Sequence, residues 1–190
     1  MADNDLNINF GQPGIADYPN YAVFNTVTLK GDKKAAYKQW LKVAKATDRF
    51  CAKDKYQTVC VRGVDFALWS QWCKANGMPL PKGLTGHEKL TRAPFKHSPG
   101  DLWFHIKGDS ERACQKILDA IKAELAPIAK NVDATPASKM HGGKVFGGRF
   151  IDGMINPVDR VNVSASSILG EDYPPTRSAA YVLQQKFQHN

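Results

Sequence analysis

The sequence predicts an α+β domain, an antiparallel sheet carrying its helices on one face. Three observations point there. Runs rich in β-branched and aromatic residues alternate with helical patterns in the order strand, helix, strand, short helix, strand, helix, strand. Turn and cap residues stand at the junctions: Gly31-Asp32, Gly63, Asn76-Gly77 and Gly108-Asp109-Ser110. The 190 residues are 43% hydrophobic and 23% charged, enough apolar material for a sizeable core without disulfide staples.

Residues 1–19 form an extended arm with turn residues Gly11, Pro13, Gly14 and Pro19. Residues 21–30 (YAVFNTVTLK) read as a strand that Gly31-Asp32 breaks. A helix follows from 33 to about 50, with Tyr37, Trp40, Leu41 and Ala44 as its apolar stripe. Lys34, Lys38, Lys42 and Lys45 cover its other side and read as a solvated face. Residues 58–62 (TVCVR) form a second strand ending at Gly63. Asp65 then caps a short helix with Phe66, Leu68, Trp69, Trp72 and Cys73, closed by Asn76-Gly77.

The stretch 77–100, with Pro79, Pro81, Pro94 and Pro99, is a long loop that is functional or wraps another element. Residues 102–107 (LWFHIK) are the clearest strand. The next helix runs to about Ala126 on the stripe Cys114, Ile117, Leu118, Ile121 and Leu125, and Pro127 ends it. A weak strand is expected near 131–134. That order is the split βαβ, or ferredoxin-like, unit. The expected organisation is arm 1–19, domain 20–157, then a linker and a further strand (179–189, AAYVLQQKFQH) in 158–190.

Net charge is +8, so nucleic acid, anionic surfaces and acidic small molecules all remain open as partners. No apolar run reaches the length of a membrane span, and the acidic, polar N-terminus is no secretory signal. Cys51, Cys60, Cys73 and Cys114 are far apart and read as reduced core thiols of a cytoplasmic protein, with no metal site. The four tryptophans, Trp40, Trp69, Trp72 and Trp103, read as core aromatics, and His105 as a hydrogen-bonded structural histidine.

The chemistry concentrates in 147–157 (GGRFIDGMINP). Glycines let backbone approach a ligand, and Asp152 stands between apolar Ile151 and Gly153. Burial against a planar apolar ligand would raise its pKa toward a range useful for proton transfer. Asp-Gly and Asn-Pro are equally ordinary turn dipeptides.

This segment resembles the Gly-x-x-Asp-Gly signature, running on into Asn-Pro, of the dye-decolorizing peroxidases. The resemblance continues elsewhere in family order. Asp101-Leu102-Trp103-Phe104-His105-Ile106 is similar to the family's third strand. Val61-Arg62-Gly63 through Leu68-Trp69 resembles its second strand and following helix. Residues 181–189 resemble the strand opening its second half. Arg149 departs from the pattern, standing where the first motif glycine usually is.

The resemblance implies a two-domain, dimeric αβ-barrel-type heme peroxidase, with this chain as its first ferredoxin-like half. It implies heme b, hydrogen peroxide and an organic reductant (a dye, porphyrin or phenol). Asp152 becomes the distal acid–base residue. Gly153, Met154 and Ile155 lie along a heme face, and Arg149 and Asn156 adjoin the cofactor. The family's proximal histidine and distal arginine align beyond residue 190, so a second half from elsewhere or a homo-oligomer is expected. Of the remaining histidines, His87, His97, His141 and His189, His141 is the nearest to a substitute ligand.

Two alternatives stay open. One is a non-catalytic porphyrin-binding or assembly half-domain. The other is a basic nucleic-acid module of the RNA-recognition type, against which the strand LWFHIK speaks, since it lacks that motif's glycine and aromatic pattern.

Overall fold

The computed structural model describes residues 20–53, 58–80, 85–86 and 100–138, with positions 182 and 184. The elements are β1 (Tyr21–Leu29), α1 (Ala36–Lys53), β2 (Val59–Val64), α2 (Phe66–Ala75), β3 (Leu102–Gly108), α3 (Glu111–Leu125) and β4 (Ala129–Ser138). The sheet order is β2-β3-β1-β4, every pair antiparallel, which is the ferredoxin-like order expected. No described helix is long and apolar enough to cross a membrane.

Alternation decides which face is buried. Val23, Asn25, Val27 and Leu29 of β1 point the same way as Leu102, Phe104 and Ile106 of β3, and all seven are buried. Onto them α3 lays Cys114, Ile117, Leu118, Ile121 and Leu125, the stripe the sequence predicts. Ser110 caps that helix, accepting from the Ala113 N–H at 3.3 Å. In α2, Asp65 accepts from the N–H groups of Ala67 and Leu68. Gly77, at φ 62°, turns the chain so that the Met78 N–H reaches the Cys73 carbonyl at 2.9 Å.

Three expectations are corrected. Helix α1 begins at Ala36, and its buried stripe is Ala36, Val43 and Thr47, while Leu41 is 43% exposed. The rotation follows Trp40, whose ring packs on Trp72 and Phe104 at centroid distances of 6.2 and 5.7 Å. Leu41 then lies about 140° around the helix from Ala36. Strand β2 runs through Gly63 to Val64, because its ladder with β3 continues past the glycine to pair Gly63 with Trp103 and Val64 with Leu102. Strand β4 is ten residues long, and as an edge strand it accommodates Pro136.

Thr47 is polar within the buried stripe because Arg62 needs it. The guanidinium donates to Thr47 Oγ1 at 2.8 Å, to the Ala44 carbonyl and to Asp48, and so fastens β2 to α1. Gln39 donates to the backbone and carboxylate of Glu124, joining α1 to α3.

The start of β3 is a node. Asp101, 9% exposed, accepts from the Leu29 N–H and from Lys33 Nζ, both at 2.7 Å. Its own N–H donates to the Val27 carbonyl, and its carbonyl accepts from the Asp65 N–H. The Lys33 carbonyl takes a hydrogen bond from the buried Trp72 indole at 2.8 Å. The β1–α1 turn is thereby held from β3 on one side and α2 on the other.

Asp101→Ala strands the buried Leu29 N–H and removes a charge-assisted pair, so it is expected to cost about 3 kcal/mol in urea denaturation. Asn25 presents the opposite case: fully buried, with neither Oδ1 nor Nδ2 hydrogen-bonded to any described residue. Asn25→Val is expected to raise stability by about 1 kcal/mol in the same measurement.

Candidate functional site

The other face of the sheet carries no helix among the described residues. Strand alternation puts Trp103, His105 and Lys107 of β3 on it. Phe24 and Thr26 of β1 and Val59, Val61 and Gly63 of β2 flank them. Backbones and side chains approach closely here. A Cβ on Gly100 would meet Thr26 Cγ2 at 2.4 Å, and on the helix-covered face one on Gly108 would meet Thr58 Oγ1 at 2.7 Å and Thr58 Cα at 3.2 Å. At 108 a side chain would press on the Thr58 backbone, and at 100 the Thr26 side chain would have to shift.

His105 lies at the centre. Its imidazole stacks on Phe24, with centroids 4.2 Å apart and planes at 23°, and meets the edge of Trp103 at 5.7 Å. The sequence reading gave it a satisfied structural role. Instead its Nε2 is buried and has no hydrogen-bond partner among the described residues. Burial, and secondarily the Lys107 ammonium, hold its pKa down to about 3, so the ring is neutral at physiological pH. Gln184, from the run expected as a further strand, reaches this face, where its Oε1 accepts from the Trp103 indole N–H.

The tryptophans therefore divide. Trp72 is fully buried, Trp40 and Trp69 pack against the core, and Trp103 belongs to the helix-free face. The four cysteines are reduced thiols, and Cys60, Cys73 and Cys114 are buried. Burial pushes the thiol pKa of Cys60 far up and raises that of Cys73, which keeps both protonated. No cluster of three metal-ligating side chains occurs among the described residues.

Arg149, Asp152, Gly153, Met154, Ile155 and Asn156 lie outside the described residues, as do His87, His97, His141 and His189. Of the residues carrying the resemblance, Asp101 and Arg62 turn out to be fasteners between elements. The long loop is described only near its ends and at 85–86. There a Cβ on Gly86 would lie 3.0 Å from the Phe66 ring, so the loop passes close over α2.

No family model matches the chain. Among curated proteins, a dye-decolorizing peroxidase of Brevibacterium linens is 30% identical over 181 residues, which is 89% of this chain and 46% of that protein. The chain is a relative of the dye-decolorizing peroxidases. It spans about half the length of the curated relatives it matches. Solved peroxidases of this type share the fold. DypB from Rhodococcus jostii RHA1 superposes with a TM-score of 0.61 at 22% identity, over 85% of this chain and 52% of that one. A DypB variant from the same organism, solved in complex with heme, gives 0.56 at 18% identity, over 70% of this chain and 44% of that one. These likenesses establish the ferredoxin-like architecture of the dye-decolorizing peroxidases for this chain.

The depressed His105 pKa gives a signed prediction. Its folded value lies below the unfolded value of 6.5, so its contribution to stability is whole above pH 6.5 and is lost progressively as pH falls toward 3. Replacing His105 with Phe is expected to flatten the fall of the urea midpoint between about pH 6.5 and 4.5. An equal fall in both proteins would remove His105 as its source.

Proposed function

We propose that this chain forms the first half of a heme peroxidase that uses hydrogen peroxide to oxidise an organic reductant such as a dye, porphyrin or phenol. The observation that carries the reading is the relationship to the Brevibacterium peroxidase over 89% of the chain. The ferredoxin-like sheet, with one face free of described helices, is in keeping with it. The second half is supplied by further sequence, by a partner chain or by a second copy. The four reduced thiols suit a cytoplasmic setting.

The chain's chemistry suits heme b. The helix-free face carries the half-buried rings of Phe24 and Trp103, which are compatible with a flat apolar macrocycle. The segment 152–156 adds small and apolar residues beside one carboxylate. Heme, when bound, supplies redox chemistry that no side chain here offers. In this reading Gly153, Met154 and Ile155 bind along one of its faces, with Arg149 and Asn156 adjoining. Asp152, flanked by apolar Ile151, would take a proton from one oxygen of hydrogen peroxide and return it to the other as the O–O bond breaks and water leaves, the two electrons coming from the cofactor and being restored by the organic reductant.

Hemin titration of the protein completed by its second half is expected to give a saturable Soret band, and its absence there would reject the cofactor assignment. Asp152→Asn is expected to leave that band in place and to lower the rate with peroxide by about a hundredfold or more in stopped flow. An unchanged rate would reject Asp152 as the proton carrier.

A further inference from the structure

We propose that the outer face of α1 docks nucleic acid, gripping the phosphodiester backbone without regard to base sequence. Lys38, Lys42, Lys45, Arg49 and Lys53 are all exposed. At 100° per residue they fall within an arc of about 80°, spread over about 22 Å of helix. That arc lies opposite the buried Ala36, Val43 and Thr47. The helix contains one carboxylate, Asp48, and Arg62 of β2 engages it at 2.6 Å. None of the five cations has a carboxylate partner among the described residues.

An ordinary solvated face looks different, and α3 in the same layer supplies the contrast. Its exposed residues mix signs: Glu111, Arg112, Lys116, Asp119 and Lys122. On α1 the pairs Lys38/Lys42, Lys45/Arg49 and Arg49/Lys53 stand four residues apart and Lys42/Lys45 three apart. These are spacings at which like charges repel and weaken a helix. A repeating anion laid along the row relieves that repulsion at every step.

The class of anion follows from what the arc lacks. A stable protein interface needs an apolar centre, and the arc holds none; Leu41 stands at its margin. A bilayer needs an apolar face to insert, and that of α1 is already spent on the core. Four lysines to one arginine suit point-charge contact with phosphates rather than bidentate reading of bases. The expectation against nucleic acid concerned the strand LWFHIK on the sheet; α1 lies in the other layer. This inference does not depend on the peroxidase reading.

The test uses the whole chain and a labelled DNA duplex of about 20 base pairs, titrated between about 50 and 200 mM salt. One variant changes Lys38, Lys42, Lys45, Arg49 and Lys53 to Gln. A control changes five exposed cations elsewhere, Lys74, Arg112, Lys116, Lys122 and Lys130, and so carries the same net charge. Circular dichroism and thermal midpoints establish that both fold. The expected result is a log–log salt slope near about −4 for the unchanged protein, largely lost in the α1 variant and largely kept in the control. Affinity at low salt should fall at least about tenfold in the α1 variant only. Equal losses in the two variants would attribute binding to net charge and overturn the proposal. So would no binding by the unchanged protein, or equal or tighter binding to phosphatidylserine vesicles or to polyglutamate.

Discussion

The carboxylate of Asp101 is the constraint on which the rest of the arrangement depends. A ferredoxin-like sheet places its first and third strands side by side although more than seventy residues separate them along the chain. At the end of that ladder the chain must leave β1, turn and enter α1, while β2 hands over to α2. Backbone groups at such a corner lose their ladder partners. Asp101 takes the Leu29 N–H and the Lys33 ammonium through its side chain, and the Val27 carbonyl and Asp65 N–H through its backbone. The Trp72 indole completes the corner from the core side. A neutral side chain of the same size cannot serve both an amide and an ammonium with equal strength.

With that corner fixed, the two faces of the sheet diverge. One is committed to packing, with Phe104, Ile106 and Val27 against the stripes of α1 and α3. The other keeps an aromatic surface around a neutral imidazole with a free Nε2. Asn25 and His105 leave polar atoms unpaired on opposite faces of the same β1–β3 ladder. Asn25 is enclosed by core, so its cost is borne by stability alone. His105 looks toward the face on which Gln184 already meets Trp103. A surface of that kind suits a face that receives further structure better than one built to meet water.

Much of this was legible in the sequence where a single physical signal dominates. The α3 stripe, the Ser110 and Asp65 caps and the Gly77 turn need only local periodicity and capping chemistry, and each stands where it was read. Leu41 was misplaced because periodicity cannot show that Trp40 has two aromatic partners from other elements, which set the rotation of α1. Strand β4 was read short because an edge strand with Lys130, Asn131 and Asp133 lacks apolar alternation; its pairing with β1 defines it. Asp101 belongs to a family pattern visible in the sequence, but its role is long-range, and no spacing rule links it to Leu29 and Lys33. His105 offered a signal, a lone histidine amid apolar residues, yet its missing partner is a property of packing. Asp152 and its neighbours rest on resemblance alone, since motif and ordinary turn share the same dipeptides.

The central claim, that the Asp101 corner is part of the cooperative core, is tested most directly by native-state hydrogen exchange followed by NMR. The amides of Leu29, Asp65 and Asp101 are predicted to exchange only through global unfolding, with the same opening free energy and denaturant dependence as Phe104 and Ile117. Exchange of those three amides by local opening, well below the global free energy and insensitive to denaturant, would contradict it. The corner would then be an ornament on a sheet held together elsewhere.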